Sequence, residues 1–124
     1  HGDIAGLKRR RATRIAEKHL GNSRKYLDQG QTDAYYLEIA RALWGYVQDK
    51  LGLPTSITTV SAVAERLVND NADEALVQKI RVALDAVEYA RFSPTRASAE
   101  EMQSLYHTAR EAIVSMEEAM RGKA

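Results

Sequence analysis

The side chains best suited to acid–base or metal chemistry are His19 and His107, because imidazole titrates close to neutral pH. His19 follows Arg14 by five positions in the run Arg14-Ile15-Ala16-Glu17-Lys18-His19. On a helix, that spacing turns the two side chains about 140° apart, so they do not share a face. His107 stands beside Tyr106 and three residues before Arg110. It falls on the flank of an apolar helical stripe, where a partly buried, hydrogen-bonded imidazole is expected. The sequence has no His-Glu-x-x-His segment and no cysteine, so neither a metal site nor a thiol nucleophile is expected. The carboxylate pairs Glu100/Glu101 and Glu117/Glu118 are adjacent in sequence. Acid–base catalysis needs two such groups converging in a cleft, and the pattern does not bring these together. No glycine-rich phosphate loop and no nucleophile elbow is present. The residues therefore predict no catalytic group and no cofactor.

Charge is the next signal. The net charge of +1 conceals an asymmetry: residues 1–25 carry eight Lys/Arg against Asp3 and Glu17, while the remainder carries ten basic and fifteen acidic residues. The cluster Lys8, Arg9, Arg10, Arg11 and Arg14 has three readings: phosphate contacts on a nucleic acid, the flank of a membrane span near anionic headgroups, or a solvated helix start. Aromatic residues that could stack on bases lie elsewhere, on apolar faces, which disfavours nucleic acid. The position of the cluster near the N-terminus favours the membrane flank.

These residues must be positioned by helices. At 124 residues the chain is one domain. It can bury roughly two-thirds of its unfolded surface without disulfides or metal. No stretch approaches the roughly 18 apolar residues of a membrane span. The start, His1-Gly2 without an initiator Met, reads as an excised piece of a larger protein. Residues 1–8 are expected to be a tether, since Gly2 and Gly6 disfavour helix. A first helix is predicted from about Arg9 to Asp28, with Ala12, Ile15, Ala16, Leu20, Ser23 and Leu27 inward.

Gly30 stops that helix, and Thr32 or Asp33 caps the next, over 33–51. There Tyr36, Ile39, Ala40, Leu43, Val47 and Leu51 recur on one face. Tyr35, Ala42, Tyr46, Leu37 and Trp44 widen it, leaving only Glu38, Arg41, Gly45 and Gln48 as a polar stripe. A helix so apolar must be surrounded by others. Gly45 on that stripe costs about 1 kcal/mol relative to alanine. An internal close crossing is the favoured explanation, and approach by a partner the alternative.

Gly52 and Pro54 end this helix. Thr58 or Thr59 caps a third, with Val60, Val63, Ala64, Leu67 and Val68 apolar. Asp73 caps a fourth running to about Arg91, and Pro94 punctuates. Ser98 and Glu101 form a capping box opening a fifth. The fold class predicted is all-α: a compact bundle of about five helices over residues 9–122, around a central buried helix.

Two segments carry a resemblance. The first is Ala42-Leu43-Trp44-Gly45-Tyr46-Val47-Gln48-Asp49-Lys50-Leu51-Gly52-Leu53-Pro54, and the second Glu88-Tyr89-Ala90-Arg91-Phe92-Ser93-Pro94. With Arg24-Lys25-Tyr26-Leu27, Ala34-Tyr35-Tyr36 and Leu105-Tyr106, they make residues 10–118 resemble the C-terminal cytoplasmic domain of BatD, the bacterial oxygen-tolerance (aerotolerance) family. The turn Asn69-Asp70-Asn71-Ala72 departs by lacking an expected glycine.

The resemblance implies a membrane-anchored parent with this domain on the cytoplasmic face of the inner membrane. It also implies a non-enzymatic adaptor role beside a MoxR-type AAA+ ATPase and von Willebrand A-domain proteins. A partner surface is expected at Glu38, Arg41, Gly45, Gln48, Asp49, Lys50 and Arg91, and anionic lipid headgroups at the basic cluster. A second resemblance is narrower. Arg14-x4-His19 is similar to the motif of the all-helical HEPN ribonucleases, whose His acts as general base while the Arg steadies phosphate. That alternative, a HEPN-like ribonuclease or nucleic-acid-binding domain, requires both side chains to face one groove.

Overall fold

The computed structural model describes residues 4–93, 95 and 97–121. Among these, five helices form: α1 (Ile4–Asp28), α2 (Thr32–Leu51), α3 (Val60–Asn69), α4 (Glu74–Phe92) and α5 (Ala99–Arg121). They make a compact all-α bundle. The apolar faces of α2, α4 and α5 meet in one core, where Ile39, Leu43, Val47, Ile80, Leu84, Val87 and Met116 are almost wholly buried.

Paired side chains give the directions. His19 meets Glu38, and Lys8 acts on Asp49, so α1 and α2 run antiparallel as their short Gly30 turn requires. The Tyr35 hydroxyl donates to the Met102 carbonyl, and the Tyr46 hydroxyl to Glu117. Both contacts advance together along the chain, so α2 and α5 are parallel. Lys79 donates to Ser115 at 3.1 Å, and pairing that far back along α5 fits α4 running against it. The central helix α2 packs on α1, α4 and α5, whereas α3 packs on α4. The main neighbours of α2 are thus α1, α4 and α5.

Helix ends follow their local chemistry, with departures. Thr59 is the cap of α3, accepting from the Ala62 amide at 3.3 Å. The capping box opening α5 is formed, with Ser98 N–H donating to Glu101 and Glu101 N–H to Ser98 Oγ, each 3.1 Å. At α2 the N-cap position belongs to Gln31 without a side-chain cap, and Thr32 and Asp33 are already helical. Asp73 holds the N-cap position of α4 but makes no capping bond. In the α3–α4 turn, Asn71 takes φ 62°. Asparagine tolerates this left-handed geometry, which is why the missing glycine does not prevent the turn.

Residues 4–8 are not a tether: α1 begins at Ile4. Gly6 is buried, and the Arg9 guanidinium reaches Gly52 at the far end of α2. Packing of this first turn on α2 offsets the glycine penalty of about 1 kcal/mol. Residues 1–3, Pro94 and residue 122 lie outside the described residues. Ile15 and Val68 are exposed rather than inward. His107 is exposed too, its ring edge-on to Tyr106 at 5.5 Å, not part-buried. No described helix is long and apolar enough to cross a membrane.

A candidate interaction groove between α1, α2 and α4

The polar stripe of α2 is only partly covered: Glu38 is bonded to α1 and Gln48 donates to the Ile57 carbonyl at 2.9 Å, while Arg41 and Gly45 border open space. Leu37, Ala40, Arg41, Trp44, Gly45 and Gln48 form the floor of an open groove of about 600 Å³. Ile15 and His19 of α1 make one wall, Glu88, Arg91 and Phe92 of α4 the other, and Thr58 closes one end. The side of α2 away from α5 lies along this cleft of mixed polarity, so the helix is not enclosed all round.

Glu38 is the buried charge of this region, 7% exposed. His19 Nδ1 lies 2.6 Å from its Oε2, Arg41 donates to Oε1 at 3.1 Å, and Asn22 donates at 3.5 Å. Burial pushes the Glu38 carboxyl up, but the bonds from His19, Arg41 and Asn22 outweigh it and hold the group below its ordinary value. The Trp44 Nε1–H donates to Glu88 Oε1 at 2.6 Å. Arg91 stacks over the Phe92 ring at 5.0 Å.

Gly45 is not explained by an internal crossing: a β-carbon placed there would meet nothing within 4 Å. The space above it is the groove.

The structure thus brings Arg41, Gly45, Gln48 and Arg91 together, with Glu38 behind them. Asp49 and Lys50 are elsewhere. Asp49 is half-buried, its carboxyl pushed up by burial and partly restored by Lys8. Lys50 pairs with Glu117 at 2.9 Å on the α5 side. There Glu117 also accepts from Tyr46, and the bonds from Tyr46 and Lys50 overcome burial and keep its carboxyl low. Burial and the Glu117 contact push the Tyr46 phenol up. Lys8, Arg9, Arg10, Arg11 and Arg14 are all exposed. Arg14 does not line the groove that His19 lines.

Sequence reasoning missed Ile15, Leu37 and Phe92 as groove residues. Their signal was faint: each is apolar at the edge of, or outside, the densest stripe of its helix. The chain matches no family model, no curated protein and no solved structure.

Proposed function

We propose that this chain is a non-enzymatic protein–protein interaction domain of a membrane-anchored Bat-type protein. In this reading it works at the cytoplasmic face of the bacterial inner membrane with a MoxR-type AAA+ ATPase and von Willebrand A-domain proteins. One observation carries the reading. Described residues of the two segments that resemble the BatD family, Trp44, Gly45 and Gln48 in the floor and Glu88, Arg91 and Phe92 in one wall, adjoin in the groove and are joined by the Trp44–Glu88 hydrogen bond. These six residues line one open surface, as a recognition face would require. The exposed cluster from Lys8 to Arg14 suits anionic headgroups beside an anchored domain.

The test is co-purification from membranes with the parent protein intact. The ATPase or the A-domain protein is expected to elute with it. Absence of both from the wild-type eluate would overturn the reading.

A further inference from the structure

We propose that the groove between α1, α2 and α4 is the seat of an acidic amphipathic helix contributed by a partner protein. The inference rests on the interaction-domain reading and gives the partner its chemistry.

Length comes first. The α2 residues in the floor, from Leu37 to Gln48, follow the spacing i, i+3, i+4, i+7, i+8, i+11. Eleven positions at 1.5 Å each give about 16 Å, three turns of a helix. The two walls stand on separate helices, so a rod laid between them would touch α1, α2 and α4 together. Apolarity comes second. Phe92 is 69%, Ile15 39% and Leu37 37% exposed, although all three border one cleft. Apolar anchors spaced along one face of a bound helix would cover them.

Charge selects the class of helix. Both carboxylates near the groove are engaged from within: Glu38 accepts from His19, Asn22 and Arg41, and Glu88 from Trp44. The cations look outward. Arg41 shares its charge with Glu38 while keeping its side chain 54% exposed, and Arg91 is exposed with no ion pair among the described residues. Glu38 is buried and Glu88 half-buried under its indole donor, so the most exposed charge is that of Arg91, and a helix carrying Asp or Glu beside its apolar anchors finds its complement there. Gly45 leaves the middle of the floor without a side chain, which lets a partner come close to the α2 backbone.

The experiment pans the domain against a display library of helix-forming peptides of about 14 residues, about 21 Å long. Charged positions are randomised among Glu, Gln and Lys. Enriched peptides are expected to carry Glu beside apolar residues and to shift backbone amide resonances of α2 and the C-terminal turns of α4. Arg91→Glu should weaken them by about tenfold or more. Phe92→Ser, a neutral change at an exposed position, should weaken them as well.

Lys-rich or unenriched pools would overturn the proposal, as would shifts confined to the basic face of α1, or affinity unmoved by both variants. So would self-association that fills the groove, seen by sedimentation of the chain alone. If the parent carrying Arg91→Glu still co-purifies with the ATPase or the A-domain protein, this inference fails while the adaptor reading stands. Acidic peptides that bind the groove, with no such co-purification by the wild-type parent, give the reverse.

Discussion

Replacing Gly45 by alanine should make the protein more stable and a poorer binder at once. Gly45 sits inside α2 with helical neighbours on both sides, and no atom lies within 4 Å of the β-carbon it lacks. The substitution therefore meets no clash and recovers the helix-propensity difference of about 1 kcal/mol. For a domain of this size that corresponds to a rise in melting temperature of about 4 °C. Gly21 on α1 provides the matched control, because it too is helical and open within 4 Å, yet it does not line the groove. Thermal unfolding followed by circular dichroism should show similar rises for Gly21→Ala and Gly45→Ala. Only the second should reduce binding at the groove, and Gly45→Leu should reduce it further. A lower melting temperature for Gly45→Ala alone would refute the reasoning, since it would mean that something packs against that position.

Two further outcomes follow from the polar groups. Glu38 and Glu117 are held below the usual 4.5, so the unfolded chain binds more protons than the folded one in that region. Their contribution is complete above that value and is lost as pH falls through it toward the lowered folded values. Asp49, pushed up by burial, works in the opposite direction. With two groups against one, urea midpoints should fall between neutral pH and about pH 3. Glu38→Gln or Glu117→Gln should flatten the profile, and an unchanged slope in both variants would contradict the assignment. Trp44→Phe keeps the ring in the groove floor but removes the donor to Glu88. It should cost about 1.5 kcal/mol in denaturant titration, the low end for a bond to a charged group, and a cost near zero would show that solvent already satisfies Glu88.

The helices were legible because their apolar residues recur at helical spacing: α2, α4 and the Ser98/Glu101 opening of α5 lie where the pattern puts them. The first turn of α1 was not legible. Gly6 argues against helix locally, and only contact with the far end of α2 reverses the balance. The groove was half legible. Glu38, Arg41, Gly45 and Gln48 stand out as the interruption in an apolar helix, but spacing on one helix cannot say which neighbour stands opposite. Ile15 reads as core on a helical wheel and proves to be a wall of the groove. Asp49 and Lys50 adjoin the stripe in sequence, yet the helix turns them toward α1 and α5. His19 and Glu38 are 19 residues apart, so their pairing emerges only from the α1–α2 hairpin.

The two tyrosines that α2 extends to α5 have a mechanical consequence. Tyr35 is tied to the Met102 carbonyl near one end and Tyr46 to Glu117 near the other. Sliding α2 along α5 by a single turn would break both anchors together and strand two buried phenols. The helix that carries the groove floor is thus clamped from behind, in fixed register. A visitor would meet a preformed bed rather than one that moulds itself on arrival, and changes made to that bed should alter how long the visitor stays more than how often it lands.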